Sequence, residues 1–251
     1  HGVNRFHMRV PAIQYSAMIQ LIAFDADDTL WHTEHLYREA RRQFDELLRP
    51  YGANSDELMH VVHETEMRNL PYYGFGITSF ILSLIETAVE VTGGRVIGAE
   101  VGRLLAISRV MVLADVRLID EVEGTLAALS ADYPLLLITK GDLLHQRDKV
   151  VRSGLGRYFA GVEVVADKTP EIYREILARY KVAPERFVMI GNSPRSDILP
   201  VATLGGRAVY VPDALTWAYD LVDIPSDLPG RIYRVSQVGE VIDLIRRIGE
   251  E

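Results

Sequence analysis

Short, largely apolar runs that stop at charged or glycine-led turns recur along this chain, and they restrict its folds more than any other feature. The first is Ile19-Gln20-Leu21-Ile22-Ala23-Phe24, which ends at the acidic cluster Asp25-Ala26-Asp27-Asp28. Others follow at Pro134–Thr139, Gly161–Val165, Arg186–Ile190, Arg207–Val211 and Arg231–Val235. A strand buried on both faces has no polar side to alternate with, so it reads as a continuous apolar run. Between most of these runs lie amphipathic segments. Ile172, Tyr173, Ile176, Leu177 and Tyr180 form one helical stripe, and Val241, Ile242, Ile245 and Ile248 form another near the end. Strands alternating with helices predict an α/β fold whose parallel sheet is covered on both faces.

One interval breaks the alternation. From Leu30 to about Asp120 no run has strand character, while helical stripes abound: Leu36, Ala40, Phe44, Leu47 and Leu48, then Ile77, Phe80, Ile81, Leu84, Ile85, Ala88 and Val89. Roughly ninety residues is far more than a strand-to-strand crossover needs. The expected organisation is an all-helical domain over 32–118 inserted into a core built from 19–31 and 119–251. The hinges fall near Trp31–Thr33 and Val116–Glu123. Residues 1–18 lack the continuous apolar segment of a secretory signal and read as an extension or remnant ahead of the domain.

Composition removes several function classes. Lys plus Arg is 27 and Asp plus Glu is 35, a net charge of −8, so the surface repels phosphate backbones and no nucleic-acid partner is expected. The sequence has no Cys, which rules out disulfides, thiolate nucleophiles and Cys-ligated zinc and suits a reducing cytoplasm. No stretch reaches the roughly 18 uninterrupted apolar residues of a membrane span. The best run, Gly74 to Ile85, is broken by Thr78, Ser79 and Ser83 and stopped by Glu86. A cytoplasmic protein without a membrane partner, monomeric or homodimeric, is expected.

Ligands of an open parallel sheet gather at the carboxyl ends of its strands. Asp25, Asp27, Asp28 and Thr29 stand after the first run, and Thr139, Lys140, Gly141 and Asp142 after the second. Lys168 lies just past the third, and Gly191-Asn192-Ser193-Pro194-Arg195-Ser196-Asp197 follows the fourth. Crowded carboxylates repel one another, and a divalent cation is the usual remedy. All-oxygen ligands favour Mg²⁺ over zinc. Thr139 and the N–H groups after it can cradle an anion, and Lys168 adds a fixed positive charge. Such a site suits phosphoryl transfer, with one aspartate attacking phosphorus and the other handling the proton.

In this order the four segments identify a resemblance. Asp25-Ala26-Asp27-Asp28-Thr29-Leu30, Leu137-Ile138-Thr139-Lys140-Gly141, Lys168-Thr169-Pro170-Glu171-Ile172-Tyr173 and Gly191 to Asp197 resemble the motifs of the haloacid dehalogenase-like (HAD) superfamily of hydrolases over about Ile19 to Val211. The resemblance implies a Rossmann-like core, with the insertion similar to the helical cap of the family's C1 group. It implies a Mg²⁺-dependent phosphatase acting on a small phosphorylated metabolite. Asp25 would then become an aspartyl phosphate. Asp27 would protonate the leaving oxygen and deprotonate water. Thr139 and Lys168 would hold the phosphoryl group, with Asp28, Lys140 and Gly141 completing the phosphate loop. Asp25, the Asp27 carbonyl, Asn192 and Asp197 would hold the metal.

Two departures from the family pattern stand out. Asn192 replaces the usual aspartate after glycine, which removes a charge from the metal site, and Lys140 stands where asparagine is frequent and could reach toward the cap. Asp27 favours phosphate chemistry over carbon–halogen hydrolysis, which needs no proton delivered to a leaving oxygen. A 2-haloacid dehalogenase, a phosphoryl mutase and a catalytically inactive metabolite-binding protein are the alternatives. In the cap, Arg68-Asn69-Leu70-Pro71-Tyr72-Tyr73-Gly74-Phe75-Gly76 joins two helical stripes. From it Arg68 could meet an anionic substrate group, and Tyr72 or Tyr73 could pack on a ring or sugar, or the aromatics could be buried in the cap. The pairs His32/His35 and His60/His63 read as exposed helix positions, and the charge-rich segment Tyr37–Leu48 as a solvated face.

Overall fold

The computed structural model describes residues 18–250, so all but the last residue of the expected N-terminal extension lies outside the described part. Six strands, β1 (Leu21–Phe24), β2 (Leu135–Lys140), β3 (Gly161–Val165), β4 (Phe187–Gly191), β5 (Arg207–Tyr210) and β6 (Arg231–Arg234), form one sheet in the order β3-β2-β1-β4-β5-β6. Every neighbouring pair is parallel. The apolar runs of the sequence are therefore strands covered on both sides. Ile22 and Phe24 of β1 point into a core shared with Leu135, Leu137, Val188 and Ile190. Leu21 and Ala23 point the opposite way, against Leu136, Ile138, Phe187 and Met189.

Between β1 and β2 the chain builds four helices, α1 (Glu34–Leu48), α2 (Ser55–Tyr73), α3 (Ile77–Thr92) and α4 (Gly98–Leu113). They enclose their own apolar cluster, which includes Phe44, Leu48, Leu58, Val62, Phe80, Leu84 and Leu104. Helices α5 (Val122–Ser130), α6 (Leu143–Ser153), α7 (Pro170–Tyr180), α8 (Leu199–Thr203) and α9 (Val241–Gly249) belong to the sheet. Residues of α5, α6 and α9 pack on one face, and residues of α7 and α8 on the other. The two connections to the helical insertion run side by side. The His32 N–H donates to the Arg117 carbonyl at 3.0 Å, and the Ile119 N–H to that of Leu30 at 3.0 Å. Among the described residues no helix is long and apolar enough to cross a membrane.

In this strand order the direction of winding reverses between β1 and β4, and a crevice opens there at the carboxyl ends. Asp25 follows β1 directly and Asn192 follows β4, so the first and fourth motifs meet at that point. The insertion covers the crevice from above. At its lower edge the Thr78 N–H, at the start of α3, donates to Asp142 Oδ2 at 3.1 Å. The cap turn is shorter than the sequence suggests. Helix α2 continues through Pro71 to Tyr73, and only Gly74 to Gly76 remain to reverse the chain.

Candidate active site at the strand ends

Asp25 is the centre of the crevice. Its main-chain N–H still pairs with the Ile190 carbonyl at 2.9 Å, so the sheet fixes its position. The side chain is buried, with Oδ1 accepting from Lys168 Nζ at 2.5 Å and Oδ2 from the Thr29 hydroxyl at 3.2 Å. Lys168 reaches over from the start of α7 and also donates to Asp197 Oδ1 at 2.7 Å. Burial works against its charge, but the carboxylates of Asp197 and Asp25 hold it well above the ordinary lysine range. For Asp25 the balance goes the other way. Burial, with Asp197 and Asp27 nearby, outweighs Lys168 and pushes its carboxyl up to about 7.

Two residues on, Asp27 lives in a different environment. Oδ1 accepts from Lys149 Nζ at 2.5 Å, Trp31 Nε1 at 2.7 Å and the Thr33 hydroxyl at 2.8 Å, and Oδ2 from Gln146 Nε2 at 2.8 Å. Burial alone would raise its carboxyl, but Lys149 and these hydrogen bonds hold it well below the usual carboxylate range. The same Gln146 nitrogen lies 2.9 Å from the Thr139 hydroxyl oxygen and 2.8 Å from the Lys140 carbonyl. Gln146 thus ties the Asp27 turn to the loop after β2. That loop needs its glycine: Gly141 has φ +133, and a Cβ there would come within 3.1 Å of Gln146.

The fourth motif closes the floor. Asp197 is fully buried and uses both oxygens, Oδ1 for Lys168 and Oδ2 for the Ser193 N–H at 3.0 Å. Gly191 permits this approach, since a Cβ at that position would lie 2.2 Å from Asp197 Oδ2. Asn192 Oδ1 stands 3.4 Å from the Thr29 hydroxyl, on the side of Asp25 opposite Lys168. Among the described residues no three His, Asp or Glu side chains form a ready metal cage. The donors still fit Mg²⁺. Asp25 Oδ2, Asn192 Oδ1 and the Asp27 carbonyl, which carries no hydrogen bond among the described residues, are all oxygen, and the elevated Asp25 carboxyl marks a place short of positive charge.

Several expected site residues do something other than expected. Asp28 takes a left-handed conformation, φ 59, and its carboxylate accepts from the Thr33 N–H at 2.7 Å and from the Glu34 N–H at 3.1 Å, capping α1. Its own N–H donates to the Trp31 carbonyl at 2.7 Å, so it offers an anion no donor. Burial pushes its carboxyl up to about 7. Lys140 turns from the phosphate loop toward Ser196 at 2.8 Å and Asp220 at 3.1 Å, and it lies 4.2 Å from the centre of the Phe75 ring in the cap. Arg68 pairs with Glu86 at 2.9 Å and Glu90 at 3.3 Å, Tyr72 and Tyr73 on the prolonged helix α2 are exposed, and none of the three lines the crevice. Phe75, just beyond, lines it instead, against Trp217 and Tyr219. His60 and His35 carry no metal arrangement: the first pairs with Glu64 and the second with Arg117.

No motif or spacing singles out Gln146 or Lys149, which lie on an amphipathic helix of ordinary polar character, nor Arg41 and Glu66 in the cap. Together with Asp25, Asp27, Thr139 and Lys168 they line a cavity of about 140 Å³ between core and cap.

This chain matches the family described as haloacid dehalogenase-like hydrolase over residues 19–205. A solved haloacid dehalogenase-like family hydrolase from Xanthomonas campestris is 38% identical, covers 95% of each chain and superimposes with a TM-score of 0.84. A glyceraldehyde 3-phosphate phosphatase of Methanothermobacter thermautotrophicus is 28% identical over 80% of this chain and 89% of its own. A phosphoserine phosphatase of Thermus thermophilus is 34% identical over a shorter stretch, 36% of this chain and 39% of that protein. On the family match, the sheet order and the four converging segments, the chain belongs to the haloacid dehalogenase-like hydrolases.

Proposed function

We propose that this protein hydrolyses a small phosphate monoester by way of a phosphoryl group carried on Asp25. The observation that carries the reading is the pair of aspartates two residues apart with opposite surroundings, one facing Lys168 and the open crevice, the other held by Lys149 and Gln146. The relatives named as phosphatases support the same reaction class.

In the first step Asp25 Oδ1, the oxygen beside Lys168 and not the one assigned to the metal, attacks phosphorus and the bond to the leaving oxygen breaks, its electron pair taking a proton from Asp27. In the second, water attacks the same phosphorus, gives its proton to Asp27 and releases inorganic phosphate from Asp25. Lys168 neutralises Asp25 and the incoming phosphoryl oxygens, while Asp197 behind it fixes the ammonium. The Thr139 hydroxyl accepts from Gln146, which leaves its own proton to donate to the phosphoryl group. Asp27 is an anion in the free protein; the proton it delivers enters with the substrate, bound as the ester monoanion, and passes to Asp27 because the negative phosphoryl group beside it raises its affinity for a proton. Asp25, the Asp27 carbonyl and Asn192 would hold Mg²⁺, which would supply further charge neutralisation.

The test is release of inorganic phosphate from para-nitrophenyl phosphate and simple alkyl phosphates, with Mg²⁺ and with chelator. Asp25→Asn is expected to fall to background while keeping the wild-type circular dichroism spectrum. Substantial turnover by that variant would remove Asp25 as nucleophile, and halide release from a 2-haloacid without phosphate release would overturn the reaction class.

A further inference from the structure

The crevice has two ends of unlike chemistry. Lys168, Thr139 and Asp25 stand at the strand ends; Glu34, Tyr37, Arg41, Glu66 and Ser79 stand at the cap end. There the Arg41 guanidinium is shared. One nitrogen donates to Glu34 at 3.1 Å and another to the two Glu66 oxygens at 3.3 and 3.4 Å. All three side chains are withdrawn from solvent, with 19%, 13% and 9% of Arg41, Glu34 and Glu66 exposed. Two enclosed carboxylates thus divide one positive charge. Burial outweighs Arg41 at both, pushing Glu34 up to about 7 and Glu66 above its ordinary value.

Two hydroxyls lining the same crevice are without partners among the described residues. Ser79 is only 5% exposed, lines the crevice, and its Oγ has no hydrogen-bond partner among the described residues. Tyr37 also lines it, with its ring edge-on to Phe80 at 5.0 Å and its hydroxyl equally without a partner among them. Neither oxygen is sealed away from the crevice, so both are open to a ligand that enters it.

We propose that the cap end of the crevice is a subsite for a protonated amine on the leaving group, so that the preferred substrates are phosphate monoesters of small amine-bearing alcohols. The inference rests on the phosphatase reading and adds the identity of the alcohol. Above pH 7, where Glu34 has released its proton, an ammonium brings the missing positive charge to Glu34 and Glu66 and donates to the open hydroxyls, so the comparison of esters is made at pH 8. A neutral polyol satisfies the hydroxyls but leaves the surplus negative charge unopposed. An alcohol bearing a carboxylate meets Glu34 and Glu66 directly, with Arg41 already engaged.

The experiment compares kcat/KM of the intact protein with Mg²⁺ for 2-aminoethyl phosphate, propyl phosphate, glycerol phosphate and carboxymethyl phosphate, with para-nitrophenyl phosphate as the general substrate. The amine ester is expected to exceed the propyl ester by about 10- to 100-fold, the discrimination of one buried charge contact, and the carboxylate ester to rank last. Glu66→Gln is expected to narrow the amine-to-propyl ratio by about tenfold. A ratio taken within one protein cancels any loss of folded material, and the wild-type ratio stands without the variant. Equal values for the amine and propyl esters, or a higher value for glycerol phosphate, overturn the subsite while leaving the phosphatase reading intact. Inertness toward every ester removes that reading and the subsite with it.

Discussion

Replacing Lys168 by methionine tests the arrangement on which the site depends. The lysine side chain is 1% exposed and bonds two buried carboxylates, at 2.5 Å to Asp25 and 2.7 Å to Asp197. Methionine fills much of the volume but strands both anions. Removing one partner of a buried ion pair costs about 3–5 kcal/mol, and with two carboxylates depending on one ammonium the upper half of that range applies. For a protein of this length 1 kcal/mol moves the melting temperature by about 2–4 °C, so Lys168→Met is expected to melt roughly 8–20 °C lower at pH 8 without divalent cations. The deficit has a pH signature. Asp25 already titrates near 7 with the lysine in place, and without it the carboxyl rises further. The native variant then holds a proton that its unfolded chain releases above about pH 4, so stability falls as pH rises and the deficit is smaller at pH 5 than at pH 8. Calorimetry of wild type, Lys168→Met and the double variant Lys168→Met/Asp197→Asn at both pH values gives the comparison. The double variant, with one anion removed, should recover part of the loss. A single variant that melts within about 2 °C of wild type at pH 8 would mean that Lys168 is not held between two buried carboxylates.

Two further outcomes are expected. Glu34 titrates near 7 against an ordinary 4.5, so the native chain keeps a proton that the unfolded chain loses, and stability declines as pH rises through that window. Glu34→Gln removes the decline by about 1–3 kcal/mol, read from urea unfolding at pH 5 and 7.5. His35 and His145, held below their ordinary value by burial, act in the opposite direction but equally in both proteins. Identical slopes for the two proteins would refute the assignment. Gly76 has φ +123, and an added Cβ would lie 2.5 Å from Asp142 Oδ2. Gly76→Ala therefore forces the start of α3 off its contact with the core and should raise KM about tenfold, with a stability loss of about 1–3 kcal/mol. Unchanged KM and melting would show that this contact does not hold the cap over the crevice.

What could be read from the sequence is what local pattern encodes. The runs at Ile19–Phe24, Pro134–Thr139 and Arg186–Ile190 are legible because a central parallel strand must be apolar on both faces, and β1, β2 and β4 are buried along almost their whole length. The stripe from Ile77 to Val89 likewise gave α3 and its packed face. The charge-rich segment from Tyr37 was legible only in part. Arg42, Glu39 and Glu46 do pair on the exposed face, but Arg41, one residue from Arg42, turns into the crevice toward Glu66 on another helix. No spacing rule distinguishes the two arginines, because the difference lies in where α1 sits against α2. The cap turn departs from the local pattern for a definite reason. Pro71 lacks the N–H that an interior helical position would donate, yet α2 carries on past it, and the three residues so added to the helix turn Tyr72 and Tyr73 outward and bring Phe75 to the opening.

Asn192 can be weighed in the same currency of charge. With only Lys168 on its Oδ1 side, burial and the neighbouring carboxylates push the Asp25 carboxyl up to about 7, toward the neutral acid, which is a poor nucleophile. A carboxylate at position 192, across the Thr29 hydroxyl from Asp25, would add a third anion to Asp27 and Asp197 and push Asp25 higher still. The amide keeps an oxygen donor in place without that repulsion. On the proposed mechanism asparagine would weaken the hold on a divalent cation by one charge, while it would ease ionisation of Asp25, the proposed nucleophile. The net effect of Asn192→Asp on cation affinity is therefore smaller than one added carboxylate alone would give, because the gain in attraction is offset by a proton that Asp25 must release before the cation can bind.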